Sequence, residues 1–323
     1  MRFVTNELEF PMKIKLLFAS VLAGGGMLLA GTDINPGTNA GVPVQMVVTV
    51  EAVHGKTVPV LYQQDVVVRQ GQERLPVTAW VPLQAEHAGL ELFVLLDDSS
   101  STVLGSYFEE LRHFITSQPE TTSIAVGYMN HATVEVVQEL TTDHALAAKA
   151  LRLPFGIVGI NASPYLSLSD LIKRWPASTR RHQVLMVTDG IDRLGGPYVT
   201  NPYLDNAIDD ALRAGVMVYT LYTPGAGHFG HSSWRIWQGQ NCLAKIAEET
   251  GGEAYMLGFG PLVSFAPYLA ELSERLGHQY LLTFVAKPKP KPGFQTVKIT
   301  TEVPNAEVVA AGRVYVPSGA KIP

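Results

Sequence analysis

The sequence predicts an α/β fold: a doubly wound, mostly parallel sheet flanked by a small β-sandwich made from N- and C-terminal strands. Two observations predict this fold. Between residues 90 and 277, short apolar runs alternate with amphipathic helical patterns, which is typical of a parallel sheet covered on both faces. On either side of that region, β-branched and aromatic residues alternate with polar ones, as in antiparallel strands. The 323 residues, 46% of them hydrophobic, are enough for a large packed core.

Residues 1–34 have the pattern of a signal peptide and linker. Lys13 and Lys15 precede an apolar stretch, residues 16–30, and Met12 is a possible true start. Three consecutive glycines break this stretch, which is shorter than the about 20 apolar residues of a membrane span. We therefore expect export to the periplasm or the cell exterior. A retained anchor is the alternative to cleavage, and it would be the only membrane contact.

Three segments follow the linker. Residues 44–89 are the predicted N-terminal β segment, residues 90–277 the α/β domain and residues 278–317 the C-terminal β segment. In the α/β domain the predicted strands cover residues 90–96, 123–129, 133–140, 182–190, 216–223 and 253–257. The predicted helices, which begin at polar caps and end at Gly or Pro, cover residues 104–118, 141–153, 167–175, 203–215, 241–252 and 262–277. After the last helix, strands are predicted at residues 279–286, 294–303 and 306–316, and we expect them to pair with the N-terminal strands.

Composition excludes several classes of protein. The formal net charge is −5 and only 16% of the residues are charged, which argues against a nucleic-acid-binding surface. Cys242 is the only cysteine, so an intrachain disulfide and a Cys-rich metal site are excluded, and we expect this thiol to be buried and inert. His228 and His231 lie in a Gly-rich stretch that indicates a surface loop more than a metal site. No nucleophile elbow or phosphate-binding loop is present, so we expect no enzyme and no small-molecule substrate.

Two aspartates follow two of the predicted buried strands. Asp97 ends the strand at residues 90–96, and Asp189 stands in the sequence "VTDG" at the end of another. At the carboxyl edge of one sheet, two neighbouring carboxylates repel unless a cation or a proton lies between them. Ser99 and Ser101 alternate with Asp97 and add hydroxyl oxygens. Such hard oxygen ligands suit Mg²⁺, Mn²⁺ or Ca²⁺.

The motif Asp97-x-Ser99-x-Ser101, between a buried strand and a helix, resembles the metal-ion-dependent adhesion site of von Willebrand factor type A domains. In that family, a threonine from a second loop and an aspartate after a later strand complete the site. Asp189 matches that aspartate. The resemblance runs from about residue 90 to residue 277, and the flanking β segments resemble the acidobacterial subgroup of the family.

For the threonine, the resemblance implies Ser163, with Ser167 and Ser169 as alternatives nearby. It also implies a division of roles, in which hydroxyls bind the ion directly and carboxylates bind it mainly through water. The predicted metal ligands are Asp97, Ser99, Ser101, Ser163 and Asp189. One coordination position then stays open for an acidic residue of another protein, which makes the chain an adhesion-type binding module.

Other functions stay open from the residues. An Asp-Ser-Ser sequence after a strand can serve only as a helix cap. The protein can also be a metal-independent structural or assembly protein of the envelope. A Mg²⁺-dependent phosphohydrolase of the haloacid-dehalogenase type is a weaker alternative, because such enzymes need a carboxylate two positions after the nucleophile, where this chain has Ser99.

Residues near the motif are given simpler interpretations. Asp98, Asp192 and Ser100 are close enough in sequence to reach the rim of the site, but we expect them to be solvated and to stay outside the ligand set. Trp234 and Trp237 either form an exposed contact patch or pack beneath a loop.

Overall fold

The computed structural model describes residues 41–156, 162–196, 200–225, 233–256 and 261–318. The predicted signal segment with Met12, and also His228 and His231, lie outside the described residues. Among the helices in the described parts of the chain, none is both long enough and apolar enough to cross a membrane.

The described chain forms fifteen strands and six α-helices. The strands are β1 Val42–Ala52, β2 Val66–Gln70, β3 Glu73–Leu75, β4 Val77–Pro82, β5 Leu90–Asp97, β6 Thr122–Asn130, β7 Thr133–Thr141, β8 Arg181–Thr188, β9 Val216–Tyr222, β10 Ala254–Tyr255, β11 Gln279–Ala286, β12 Gly293–Thr296, β13 Lys298–Thr301, β14 Ala306–Val309 and β15 Arg313–Val316. The helices are α1 Phe108–Thr116, α2 His144–Lys149, α3 Pro164–Arg174, α4 Pro202–Ala214, α5 Ser233–Thr250 and α6 Ala266–Gly277.

The central sheet has the strand order β10-β9-β8-β5-β6-β7. All neighbours in it are parallel except β6 and β7, which form an antiparallel hairpin. From β5 the chain passes first to β6 on one side and later to β8 on the other. The strand order therefore reverses between β5 and β8, and this is the position at which open α/β sheets bind ligands.

Helices cover both faces of this sheet, as the continuous apolar strands predict. One core cluster joins the sheet to α1, α2 and α6, and a second joins its other face to α3, α4 and α5. All eight residues of β5 are buried. These observations confirm the predicted doubly wound α/β fold.

The flanking strands come from both ends of the described chain. A four-stranded sheet has the order β14-β1-β11-β4, so β1 lies between two strands of the C-terminal segment. Smaller antiparallel sheets, β13-β2-β3 and β12-β15, share an apolar core with it. The predicted pairing of N- and C-terminal strands is confirmed. The predicted strands at residues 294–303 and 306–316 were each too long, because each divides into two shorter strands with different partners.

Three helices begin earlier than the sequence pattern predicts, and one of them, α4, does so by a single residue. Helix α3 starts at Pro164, because Ser163 caps its first turn and proline is favoured there. Helix α5 starts at Ser233, so Trp234 and Trp237 lie on its first turns and are each about half exposed.

Candidate metal site

The reversal point between β5 and β8 brings the two predicted aspartates together. Leu96 pairs with Val187, so Asp97 lies beside Thr188 at the carboxyl edge, and Asp189 is the next residue. The Thr188 hydroxyl donates to Asp97 Oδ2 at 2.6 Å. Both carboxylates are buried, with 6% of Asp97 and 1% of Asp189 exposed. Two acidic groups are thus held side by side away from bulk water, where their charges need compensation.

The other oxygen of Asp97 organises the loop that follows β5. The backbone N–H and the hydroxyl of Ser99 both donate to Asp97 Oδ1, at 2.9 and 2.6 Å. The Ser101 backbone N–H donates to the Pro224 carbonyl at 3.0 Å, and its side-chain oxygen accepts from Val103 N at 3.4 Å. Ser101 therefore lies at the same edge and caps the short helical turn after the motif. Ser101 is thus both a helix cap and a predicted metal ligand, so capping alone does not decide between the two interpretations.

The buried surroundings of Asp189 disfavour the ionised form of its carboxylate. Its Oδ1 accepts from the Ile191 backbone N–H at 2.9 Å, and its Oδ2 lies 3.4 Å from Arg193 Nη2. Burial raises the pKa of Asp189 to about 6; the charge of Arg193 opposes this rise and the charge of Asp97 adds to it. A cation beside the pair would favour the ionised form.

The second loop approaches Asp189 through the segment that follows it. The Ala162 carbonyl accepts from the Arg193 backbone N–H at 3.0 Å. Ser163 donates from its hydroxyl to Asp192 Oδ2 at 2.9 Å and accepts from Leu166 N at 3.3 Å as the cap of α3. The structure therefore connects the loop of Ser163 to the loop of Asp189.

The alternative serines lie within α3. Ser167 donates to the Ser163 carbonyl at 3.0 Å, and both Ser167 and Ser169 are buried. Ser163 is the one of the three that stands at the loop itself.

Glycines make the close approach of backbone possible at this edge. Gly190 has φ +71°, and a Cβ there would lie 2.5 Å from the Gly239 carbonyl oxygen of α5. A Cβ on Gly225 would overlap Asp189 Oδ2. Gly190 thus lets the backbone lie against α5, and Gly225 lets the backbone lie directly against Asp189 Oδ2; a side chain at either position would clash.

The residues present fit a hard divalent ion. The donors are carboxylate and hydroxyl oxygens, and the carboxylates are buried. The described segments contain no group of three or more His, Cys, Asp and Glu side chains placed to hold a metal. The candidate set therefore depends on its serine hydroxyls, and ion binding by these residues stays a prediction.

The expectation that Asp98, Asp192 and Ser100 are solvated was wrong. All three are buried. Asp98 forms a bidentate ion pair with Arg152, with Nη1–Oδ1 at 2.8 Å and Nη2–Oδ2 at 3.0 Å. Asp192 accepts from the backbone of its own loop and from Asn201 Nδ2 at 2.7 Å. These carboxylates hold the loops in place and are not free at the rim.

Three residues that contact Asp97, Asp98 or Asp189 were not predicted from the sequence. Thr188, the residue before Asp189, orients Asp97; Arg152 pairs with Asp98; Arg193 contacts Asp189. Thr188 could have been predicted, because it ends its strand as Asp97 ends the neighbouring one, and adjacent parallel strands place their ends side by side.

No protein-family model and no curated protein matches the chain. Three solved structures illustrate its structural similarities. An aerotolerance-related membrane protein from Bacteroides fragilis NCTC 9343, with multiple mutations to serines, has 11% identity and a TM-score of 0.42 over 58% of this chain and 98% of its own. A von Willebrand factor type A protein from Catenulispora acidiphila has 11% identity and a TM-score of 0.43 over 89% of this chain and 76% of its own. The ArnB paralog VWA2 from Sulfolobus acidocaldarius has 10% identity and a TM-score of 0.40 over 85% of this chain and 76% of its own. The Catenulispora protein carries the name of the family that the Asp97 motif resembles.

Proposed function

We propose that this chain is a von Willebrand factor A-like binding module of an exported bacterial protein. It holds a divalent ion, Mg²⁺ or Mn²⁺ or Ca²⁺, at the carboxyl edge of its sheet and uses the ion to hold an acidic group of another protein. The ligands are Asp97, Ser99, Ser101, Ser163 and Asp189. The ion would supply a positive charge with an open coordination position, to which a partner's carboxylate binds.

One observation carries the proposal: two buried carboxylates, Asp97 and Asp189, lie at the ends of neighbouring strands where the strand order reverses. A buried pair of this kind is unfavourable without a compensating charge, and the surrounding groups supply hydroxyl oxygens. A cleft of about 120 Å³, bordered by His131 and Phe155, is lined by Ser99 alone of the five proposed ligands.

The same residues support a binding protein more than an enzyme. Ser99 stands two positions after Asp97, where a phosphohydrolase of the type considered needs a carboxylate, and its hydroxyl donates to Asp97. We expect no phosphatase activity, and release of p-nitrophenol from its phosphate ester in Mg²⁺ would contradict this.

Ion binding is tested on the purified chain by calorimetric titration with MgCl₂ or MnCl₂ and by thermal unfolding. At about 100 times Kd, an ion that binds only the folded state adds about 2.7 kcal/mol to its stability. We expect Asp97→Asn to abolish this gain. Asp143→Asn is the matched control, because Asp143 lies at the opposite edge of the sheet from the candidate site. It caps α2 and is close in sequence to Thr141, which pairs with the start of β6.

Partner binding is tested by capture from envelope extract with wild-type and Asp97→Asn protein, in Mg²⁺ and in chelator. The proposal requires capture that is lost on chelation and in the variant. Capture that is indifferent to both would refute it.

A second function, metal-independent assembly, is favoured by one observation. The candidate ligands already have partners within the chain: Ser163 donates to Asp192, and Arg193 lies beside Asp189. Thermal stability that does not respond to any of the three ions would support this function over the first.

A further inference from the structure

Arg193 provides a positive charge inside the candidate site. Only 12% of its side chain is exposed, and its Nη2 lies 3.4 Å from Asp189 Oδ2. Its Nη1 lies 3.4 Å from the Ile191 carbonyl of the same loop, so the guanidinium folds back over that loop. A Cβ on Gly225 would lie 3.4 Å from Nη2, which places the guanidinium beside Gly225.

The guanidinium and a divalent ion would depend on the same carboxylate oxygen. Asp189 Oδ1 accepts a backbone N–H from Ile191, which leaves Oδ2 as the oxygen that faces a cation. Two cations that contact the same carboxylate oxygen repel each other strongly in a partly buried site. When both are present, Arg193 must therefore either move away from Asp189 Oδ2 or weaken the binding of the ion.

The geometry of the contact suits a guanidinium that can leave. The neighbouring pair of Arg152 and Asp98 is bidentate, with both contacts at 3.0 Å or less. The pair of Arg193 and Asp189 has a single contact at 3.4 Å. Bidentate pairs are the stronger and more directional ones, so Arg152 fixes its loop while Arg193 is held more weakly.

We propose that Arg193 is the resident cation of this site: it neutralises Asp189 when no divalent ion is bound, gives up Asp189 Oδ2 to the ion, and thereby sets the ion affinity. This inference rests on the proposed function, because it describes how the same site is regulated. Arg193 raises the ion concentration at which the site fills and keeps the ion-free fold intact.

The experiment compares the wild type with Arg193→Gln, Arg193→Lys and the control Arg112→Gln, using MgCl₂ as the probe. Arg112 is a partly exposed arginine paired with Glu109 on α1, so its replacement makes the same charge change elsewhere. We expect Arg193→Gln to lower the Kd for Mg²⁺ by about tenfold or more, because the competing charge is gone. Arg193→Lys, which keeps the charge, should stay within about threefold of the wild type, and Arg112→Gln should not differ from it.

Thermal unfolding supplies a second readout. Without the ion, Arg193→Gln should unfold at a lower temperature than the wild type, because Asp189 loses its partner. In saturating Mg²⁺ this difference should shrink. A residue that only shaped the loop would lower both temperatures equally, and Gln and Lys would change Kd alike; either result overturns the inference.

The outcomes separate the inference from the function on which it rests. If the wild type and Arg193→Gln bind Mg²⁺ with the same Kd, the metal site stands and the role of Arg193 is refuted. If neither binds, both are refuted. If only Arg193→Gln binds, Arg193 does not give up Asp189 Oδ2 to the ion, so both the inference and the metal-dependent function of the wild type are refuted.

A measurement on the unmodified protein covers the case in which Arg193→Gln does not fold. The Arg193 Nε–Hε resonance in an NMR spectrum, assigned with Arg193→Lys, should shift as MgCl₂ saturates the site, while that of Arg112 stays fixed. An Arg193 resonance that does not move would overturn the inference.

Discussion

Replacing Arg152 by Ala tests whether the buried Asp98 holds the loop beside the candidate site. Arg152 makes both contacts to Asp98, and its guanidinium lies over the rings of Tyr128 and Phe155, 3.8 and 4.3 Å from their centroids. The side chain of Asp98 is 5% exposed and that of Arg152 is 28% exposed. The substitution therefore leaves a buried carboxylate without its cation.

The expected loss of stability follows from these contacts. Removing one partner of a fully buried ion pair costs about 3–5 kcal/mol, and the partial exposure of Arg152 moves the value toward the lower end. Each cation–π contact adds about 0.5–1 kcal/mol at partly exposed sites. We expect Arg152→Ala to lower the free energy of unfolding by about 4 kcal/mol, measured by urea denaturation followed by circular dichroism at pH 7.5.

The matched control is Arg112→Ala, which removes a surface pair with the exposed Glu109 on α1 and should change the free energy of unfolding by less than about 1 kcal/mol. In the double variant Arg152→Ala/Asp98→Asn, the neutral amide no longer needs a cation. Its loss should therefore be smaller than the sum of the single losses, by about 1–3 kcal/mol. A loss below about 1 kcal/mol for Arg152→Ala, or an additive double variant, would refute this account of Asp98.

Two further changes have definite expected results. Gly225→Ala places a Cβ against Asp189 Oδ2 and should cost about 1–3 kcal/mol in urea denaturation and weaken Mg²⁺ binding, whereas Gly293→Ala meets open space and should do neither. Equal effects of the two alanines would contradict the close contact between Gly225 and Asp189. His182 lies 3.2 Å from Glu91, yet burial outweighs that carboxylate and lowers the histidine pKa from 6.5. Below pH 6.5 the unfolded chain therefore binds the proton more readily than the folded one, and stability falls as pH falls. The wild type should lose stability relative to His182→Gln between pH 7.5 and 5.5 in urea denaturation, and a relative gain would mean that Glu91 dominates.

The order of strands and helices was predictable because its signals are local. An apolar run such as β5 is buried on both faces, so its composition alone distinguishes it from a half-exposed strand. Asp97 and Asp189 follow such runs directly, and the rules of parallel sheets place neighbouring strand ends together. The start of α5 was missed because the pattern of residues 241–252 is stronger than that of the first turns, which carry Trp234 and Trp237.

The fate of the charged side chains was not predictable, because it depends on partners from other segments. Asp97 and Asp98 are adjacent in sequence, yet one faces Thr188 on β8 and the other faces Arg152, 54 residues away. Arg193 lies close to Asp189 in sequence, but only the fold of the loop turns its guanidinium back to the carboxylate. Sequence patterns indicate where polar groups cluster; the structure decides which of them pair.

The position of β1 between β11 and β14 has a consequence for the order in which the protein acquires its structure. The strands of the α/β sheet find partners within their own segment, whereas Thr49 must wait for Gln279, and Val50 for Val308. Contacts between such distant residues form late and slowly. During synthesis, β1 therefore has two unsatisfied edges until nearly the whole described chain has emerged, and such edges can pair with other chains. We therefore expect the flanking sheet to close last, after the part of the chain that carries the candidate site.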